Sequence, residues 1–231
     1  MKSKLTSISI AILAALFIVS FSISLPILIR PFFYLQIDAL GLTDEVVIDR
    51  AMNKTTLTKD EIRTAYDEMM DYCLGLRSDF SAGILTFSEE GESHFADVKI
   101  LFIIDFIIIC ASAIGLAIIA IIMKVKKISP YRFLKRGPLF WSVISIASIA
   151  SVIGIACAIN FRETFIFFHK IFFIGKTNWS FNPHTDPIIL LLPNQFFSNC
   201  GLLIFFGILL FSIAIMLYEF IPKRNKKITL S

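Results

Sequence analysis

Four long stretches of apolar residues constrain the fold of this chain more than any other feature of its sequence. They cover residues 5–29, 100–123, 139–159 and 200–218, and the one charged residue within them is Asp105. About 20 residues of α-helix cross the ~30 Å hydrocarbon core of a bilayer, so each stretch is long enough. A backbone in lipid must pair its own N–H and C=O groups, and each stretch is therefore predicted to be a transmembrane helix.

The composition indicates the same class of protein. Hydrophobic residues make up 56% and charged residues 17% of the 231 residues, and the mean hydropathy is +0.78. A soluble domain of this size could not bury so much apolar surface. We predict one all-α membrane domain over residues 1–231. Residues 5–29 are expected to stay as a signal anchor, because this run exceeds the about 7–15 apolar residues of a usual signal peptide.

The distribution of lysine and arginine predicts the orientation. Basic residues concentrate in the N-terminus, in the loop 124–138 and in the C-terminus, and the positive-inside rule places these segments in the cytoplasm. The segments 30–99 and 160–199 are then extracytoplasmic, and the first holds 14 of the 18 acidic residues. The basic residues that carry this prediction are Lys2, Lys4, Lys124, Lys126, Lys127, Arg132, Lys135, Arg136, Lys223, Arg224, Lys226 and Lys227.

The first outer segment is predicted to form a mainly helical extracytoplasmic cap. Thr58 and Glu61 match a capping box at the start of an amphipathic helix, which Gly75 would end. Ser88 can cap a further helix that continues into the second span, although Gly91 weakens the first turn of that helix. No chemistry is needed to explain the amphipathic helix, since packing onto the bundle or the membrane accounts for it.

The second outer segment is predicted to be an aromatic interfacial segment. Its glycine and prolines prevent it from spanning the membrane, and aromatic side chains favour the headgroup level. Within it, residues 182–187 read Asn-Pro-His-Thr-Asp-Pro, which is typical of a turn. The aromatic residues are Phe161, Phe165, Phe167, Phe168, Phe172, Phe173, Trp179, Phe181, Phe196 and Phe197.

Two features inside the spans carry predictions of their own. Ala150, Gly154 and Ala158 recur every four residues, and such a face is typical of close helix packing. Asp105 is a costly residue at its depth unless it faces the bundle interior or water. It is either a buried hydrogen-bond anchor between helices or a support for a site above it, and both interpretations stay open.

All three histidines fall in the outer segments near an apolar boundary. His94 lies about 9 Å above Ile100 if the helix is continuous, and it shares a helix face with Asp97. A lone histidine is more often a packing residue than a catalyst. His94 and His169, on separate segments at the same expected depth, nevertheless indicate a candidate site, whereas His184 lies in the predicted turn.

Three motifs together resemble a known family. They are SEEGESHFADVK at 88–99, FHKIFF at 168–173 and NWSFNPHTDPIILLLP at 178–193. In combination, and with the order of the spans, they resemble the bacterial lipoprotein intramolecular transacylase family of four-span membrane proteins. Residues 31–76 carry no part of the resemblance.

The resemblance implies a membrane acyltransferase. In that family the sn-2 acyl chain of an S-diacylglyceryl-cysteine moves onto the α-amino group of the same cysteine, which gives a lyso-form lipoprotein. The expected partners are diacylglyceryl-modified lipoproteins and membrane phospholipid, without nucleic acid, metal or other cofactor. The resemblance assigns the catalytic pair to His94 and His169 and no role to His184. Further family motif positions, expected to bind or support, are Asp97, Trp179 and Asp186.

Acid–base chemistry is compatible with this assignment. An α-amine has an ordinary pKa near 7.7–8.0 and must lose a proton before it attacks an ester, and a histidine is suited to take it and return it. Donor and acceptor belong to one molecule, so no enzyme nucleophile is required. We expect His94 to act as general base and acid with His169 as its partner, and the reverse assignment stays open.

Three alternatives remain. One is a non-enzymatic membrane sensor or assembly factor with a lipid-binding outer surface. A second is an acyl-enzyme formed through Cys73 or Cys200, two residues that are also a possible disulfide pair. The third is a zinc site, for which the candidate ligands are His94, Asp97, His169, His184 and Asp186.

Overall fold

The structure is a computed structural model that describes residues 2–220. Within this range, helices dominate and four short strands accompany them. The elements, in chain order, are β1 (Lys2–Ser3), α1 (Lys4–Leu28), α2 (Pro31–Tyr34), β2 (Val46–Ile48), β3 (Lys54–Thr56), α3 (Lys59–Cys73), α4 (Glu89–Val125), β4 (Ser129–Pro130), α5 (Pro138–Ile159), α6 (Phe161–Phe172), α7 (Ile188–Leu191) and α8 (Asn194–Phe220). A 3₁₀ turn at Leu42–Asp44 precedes β2.

Four helices, α1, α4, α5 and α8, are long and apolar enough to cross a membrane. This confirms the predicted class, an all-α membrane protein with four transmembrane helices. Helix α1 packs against the other three. At Gly207 of α8 an added Cβ would lie 2.8 Å from Leu25 and 3.0 Å from the Ser22 hydroxyl, so glycine permits close packing of α8 on α1.

One end of the bundle holds the N-terminus, the loop between α4 and α5, and the end of α8. Strand β1 pairs in parallel with β4, and the Ser7 hydroxyl donates to the Tyr131 carbonyl over 3.0 Å. Arg132 of the loop lies 3.4 Å from the Glu219 carboxylate of α8. The basic C-terminal cluster at 223–227, used to predict the orientation, lies outside the described residues.

The opposite end carries a packed cap. The capping box is present as predicted, because the Thr58 hydroxyl accepts from the Glu61 N–H and the Glu61 carboxylate accepts from the Thr58 N–H. Gly75 adopts a positive φ of 76° just after α3 ends. The apolar face of α3 packs into the cap core, where Tyr66 stacks on Phe33 with ring centroids 3.8 Å apart.

A β-hairpin in the cap was not predicted. Strands β2 and β3 pair antiparallel, with Val46 opposite Thr56 and Ile48 opposite Lys54. The Asp49 carboxylate accepts from the Asn53 N–H over 2.8 Å and stabilises the turn between the strands. Each strand has only three residues, too few to show an alternating pattern in the sequence.

The predicted packing face of α5 is wrong for its outer half. Ala150 packs against the cluster that contains Ile18 and Ile208. Within residues 2–220, no atom lies within 4 Å of a Cβ added at Gly154, and Ala158 is exposed. Helix α5 makes its buried contacts through its first half, so the small residues further along do not pack closely against another helix within residues 2–220.

The cysteines are free thiols, so the possible Cys73–Cys200 pair is not formed. Cys73 is buried on the apolar face of α3, and its Sγ lies 3.9 Å from the Phe95 carbonyl oxygen. This agrees with the interpretation of Cys73 as part of that face.

Candidate active site

His94 is placed by the polar first turns of α4. As predicted, Ser88 caps this helix, and its hydroxyl accepts from the Gly91 N–H over 3.0 Å. The helix then continues without a break through the apolar stretch that begins at Ile100. His94 therefore lies above the apolar stretch on a continuous helix, and the residue is 5% exposed.

Asp186 fixes the start of this helix. Its carboxylate accepts from the Ser88 N–H over 2.8 Å, from the Ser88 hydroxyl over 2.9 Å and from Thr185 Oγ1 over 2.6 Å. The turn predicted at 182–187 is present, because the N–H groups of Thr185 and Asp186 both donate to the Asn182 carbonyl. A carboxylate at a helix N-terminus is also stabilised by the helix dipole.

His169 is placed by α6. Asn160 caps this helix, and its side chain accepts from the Glu163 N–H over 3.2 Å. The His169 Nδ1 lies 2.8 Å from the Phe165 carbonyl oxygen. A carbonyl only accepts, so this contact assigns the proton to Nδ1 and leaves the Nε2 lone pair free to take a proton.

The two imidazoles come together. The ring centroids of His94 and His169 lie 6.0 Å apart with an angle of 28° between the planes. His169 is 8% exposed, so both rings are buried. The sequence separates these residues widely, and the fold brings them together from α4 and α6 as predicted.

Aromatic rings enclose the pair. Phe173 contacts both histidines, with centroids 4.8 Å from His94 and 5.5 Å from His169. Phe181 lies 5.3 Å from His94, and Trp179 lies 5.2 Å from His169. The His94 Nδ1 is buried in this apolar enclosure and has no hydrogen-bond partner among the described residues.

The enclosure determines the protonation of the pair. Burial lowers the pKa of His94 from 6.5 to about 4, and the neighbouring His169 and Lys176 act in the same direction against Asp97. Burial also lowers the pKa of His169, and the hydrogen bond to Phe165 opposes this shift. Both imidazoles are therefore neutral at pH 7.

Asp97 lies one turn below His94 and connects α4 to the loop after α6. It accepts a hydrogen bond from Lys176 Nζ and one from Asn178 Nδ2, the latter over 3.1 Å. Partial burial alone would raise the pKa of Asp97, but the hydrogen bonds from Lys176 and Asn178 and the charge of Lys176 hold it below its usual value. The carboxylate is ionised at neutral pH.

Two other residues singled out in the sequence lie away from the pair. Asp105 is about 16 Å along the axis of α4 from His94. It is buried, and Ser20 of α1 hydrogen-bonds to it, which favours the interpretation as an anchor between helices. Its Oδ2 has no hydrogen-bond partner among the described residues. His184 is exposed in its turn. Over residues 2–220 no group of three or more His, Cys, Asp or Glu side chains is arranged to hold a metal ion.

Sequence reasoning missed Lys176, and it considered Phe173 and Phe181 only as interfacial aromatics. Each of these residues reaches α4 from a loop far along the chain. No local pattern marks such contacts, so the sequence held no signal for Lys176. The dense run of phenylalanines was a signal for an enclosure, although not for which rings would form it.

The sequence matches the model of a known protein family over most of its length. Residues 8–197 match the family model of the lipoprotein intramolecular transacylase Lit. A comparison with curated proteins gives no significant match.

Solved structures of the membrane-integral Lit of Bacillus cereus share the architecture. One is 26% identical with a TM-score of 0.77 and covers 93% of each chain. Two further structures of that protein, with one histidine replaced by arginine or by alanine, are each 25% identical with TM-scores of 0.71. They cover 93% of this chain and 89% and 92% of their own.

The family match extends over most of the chain, and the structural match includes both the spans and the cap. The protein is thus a multi-pass membrane acyltransferase that acts on lipoproteins. On the combined strength of sequence and architecture, the chain belongs to the lipoprotein intramolecular transacylase family, Lit.

Proposed function

We propose that the protein moves the sn-2 acyl chain of an S-diacylglyceryl-cysteine onto the α-amino group of the same cysteine, with His94 and His169 as the catalytic pair. One observation carries this proposal. Two neutral, buried imidazoles face each other at 6.0 Å inside an aromatic enclosure, above the apolar stretch of α4. An ester at the glycerol level of a lipid would lie at this depth.

His169 is proposed as the general base, which reverses the first assignment from the sequence. Its Nδ1–H donates to the Phe165 carbonyl, so the ring is oriented and Nε2 is the basic nitrogen. The attacking amine must be neutral, and the low dielectric of the enclosure favours that form. As the amine nitrogen attacks the sn-2 carbonyl carbon, His169 Nε2 takes its proton.

His94 is proposed to stabilise the oxyanion. The lowered pKa keeps the ring neutral, and a neutral imidazole N–H can donate to the negative oxygen of the tetrahedral intermediate. One positioned donor of this kind contributes about 3–4 kcal/mol. The intermediate then collapses: the bond from the carbonyl carbon to the glyceryl oxygen breaks, and this oxygen takes the proton back from His169. The products are an amide and a free sn-2 hydroxyl.

Water is the competing nucleophile, and the enclosure is proposed to exclude it. Phe173, Phe181 and Trp179 cover the pair on several sides. The donor ester and the acceptor amine share one molecule, so orientation inside the enclosure supplies much of the rate. The supporting residues are proposed to act as follows: Asp97 and Trp179 hold the loop that follows α6, Asp186 fixes the start of α4, and Asp105 joins α4 to α1.

Substitution of each histidine tests the proposal. His94→Asn and His169→Asn would each abolish lyso-lipoprotein formation, measured by mass spectrometry of a diacylated lipoprotein incubated with the purified enzyme. His184→Asn is the matched control, because this exposed histidine lies in a turn away from the pair. Normal turnover by a well-expressed His94 or His169 variant would remove that residue from the mechanism.

A substrate with two different acyl chains tests the regiochemistry. We expect fragment masses to show the sn-2 chain on the cysteine nitrogen and the sn-1 chain still on glycerol. The opposite distribution would refute the proposed sn-2 transfer while leaving the histidine pair intact.

The orientation and domain organisation are also proposed. The whole chain would form one membrane domain in the bacterial cell membrane, surrounded by phospholipid. The N- and C-termini would be cytoplasmic, and the histidine pair would lie on the extracytoplasmic face. Two observations support this: β1 and β4 pair at one end of the bundle, and basic residues cluster in the segments at that end.

A further inference from the structure

Lys176 makes three contacts at the edge of the histidine site. Its Nζ donates to the Asp97 carboxylate of α4. Its backbone N–H donates to the Phe173 carbonyl over 3.0 Å, and its own carbonyl accepts from Trp179 Nε1 over 3.0 Å. Gly175 precedes it with a φ of 75°, a left-handed conformation that turns the chain back after α6.

Each contact leads to one of the histidines. Asp97 is one helical turn from His94 on the same face of α4. The Phe173 ring packs on both imidazoles, and the Trp179 ring packs on His169. The side chain of Lys176 therefore connects the helix that carries His94 to the loop whose aromatic rings support His169.

We propose that Lys176 is a positioning residue for the acyl transfer, because its ion pair with Asp97 holds the loop 173–179 against α4 and so sets the relative placement of His94 and His169. The inference rests on the proposed function of that pair. The Lys176 side chain is 48% exposed and that of Asp97 16% exposed. An ion pair this accessible contributes little to overall stability, so its effect should fall on geometry at the site.

Kinetics of three variants test this assignment. Lys176→Met should lower kcat by about 100-fold, since a displacement near 1 Å at a catalytic pair has an effect of that size. KM should change little, because the proposed role of Lys176 is to place the histidine pair rather than to bind the substrate. Lys176→Arg should restore most of the rate, since it keeps the charge and the donor. Lys170→Met, at an exposed lysine of α6, is the matched control and should behave as wild type.

A double-mutant cycle with Asp97→Asn tests whether Lys176 acts through Asp97. If it does, the double variant Asp97→Asn with Lys176→Met should be no slower than the slower single variant. Multiplied effects would overturn the proposed route. The melting temperature should be nearly unchanged in all these variants, and a large loss would assign Lys176 a general structural role instead.

Trp179 emission supplies a readout that is independent of turnover. The chain has two tryptophans, and Trp141 at the start of α5 can be replaced by phenylalanine. In that background, Lys176→Met should shift the Trp179 emission towards the red as the ring leaves the enclosure, whereas Lys170→Met should not. Unchanged emission together with unchanged kcat would overturn the proposal, as would a faster Lys176→Met enzyme.

The His94→Asn variant, assayed alongside, distinguishes a failure of the positioning role of Lys176 from a failure of the proposed histidine mechanism. An inactive His94→Asn enzyme with a fully active Lys176→Met enzyme would refute the positioning role alone. An active His94→Asn enzyme would refute the proposed histidine mechanism itself.

Discussion

The Asp186 carboxylate occupies the space that a side chain on residue 91 would need. A Cβ built on Gly91 would lie 2.1 Å from Asp186 Oδ1 and 3.0 Å from its Cγ. Asp186 is 3% exposed and accepts hydrogen bonds from the Ser88 N–H, the Ser88 hydroxyl and the Thr185 hydroxyl, so it has little freedom to move. The glycine that weakens the helix in the sequence is therefore what allows this carboxylate to reach the start of α4.

Gly91→Ala should destabilise the protein. Alanine favours a helix by up to about 1 kcal/mol over glycine, but overpacking against a fixed carboxylate costs about 1–3 kcal/mol, and we expect the clash to dominate. Thermal unfolding in detergent would show a lower melting temperature, and turnover should fall because Ser88 and the first turn of α4 shift. Gly154→Ala is the control, since no atom of the described residues lies within 4 Å of that Cβ. An increased melting temperature for Gly91→Ala would contradict the argument.

The buried histidines predict a loss of stability in mild acid. The pKa of His94 falls from 6.5 to about 4 on folding, so between these pH values the unfolded chain binds more protons than the folded protein. Stability should therefore be complete above pH 6.5 and decrease as the pH falls towards 4, by about 3 kcal/mol for this residue. The pKa of His169 shifts in the same direction. Chemical unfolding in detergent at several pH values would measure the slope.

Two variants show whether His94 causes that slope. His94→Asn should make it shallower between pH 6.5 and 4 and leave the part due to His169, while His184→Asn should leave it unchanged. An equally steep slope in His94→Asn would assign the acid sensitivity to other groups. Turnover should follow the same sign: the general base must be neutral, so the acid limb of activity should lie below pH 6.5.

Cys73→Ala should leave turnover per folded enzyme unchanged. Burial raises the pKa of this thiol to about 12, so a thiolate nucleophile is not available at neutral pH. The substitution removes buried volume and should lower stability by about 1–2 kcal/mol. Activity assays and thermal unfolding separate the two effects. A complete loss of turnover in a folded variant would revive the acyl-enzyme alternative.

Single cysteines placed at opposite ends of the bundle should differ in accessibility. In a background without the four native cysteines, Asp79→Cys in the cap should react with a membrane-impermeant maleimide added to whole spheroplasts. Lys126→Cys, in the loop between α4 and α5, should react only after lysis. Both positions are exposed in the structure. The reverse labelling pattern would invert the proposed orientation.

Local sequence signals predicted much of the fold. The four spans, the capping box at Thr58, the cap at Ser88 and the turn at 182–187 all follow from residues that interact within a few positions of each other. Such contacts depend on backbone geometry that a short window of sequence contains. The pair of His94 and His169 was reached through family motifs and expected depth, and the structure then supplied its distance.

Contacts between distant segments could not be predicted in this way. The hydrogen bonds from Ser88 to Asp186 and from Lys176 to Asp97 join residues that share no periodicity. The small-residue face at Gly154 shows the converse, because a pattern typical of packing has no partner in the part of the chain that the structure describes. A sequence pattern indicates which side of a helix is suited to close packing. Whether that side makes a contact depends on where the neighbouring helix lies.

Helix α4 runs without a break from the cap into the apolar stretch, and His94 lies near its start. Helical rise alone therefore sets the height of the ring above Ile100. Under the proposed reaction, the enzyme would select its substrate by the position of the reacting ester along the membrane normal rather than by peptide sequence. Lipoproteins with very different protein parts would be equally good substrates, since only the lipidated cysteine that they share lies at that plane. Three or four residues inserted between His94 and Ile100 would move the imidazole away from that plane, whichever lipoprotein is the substrate.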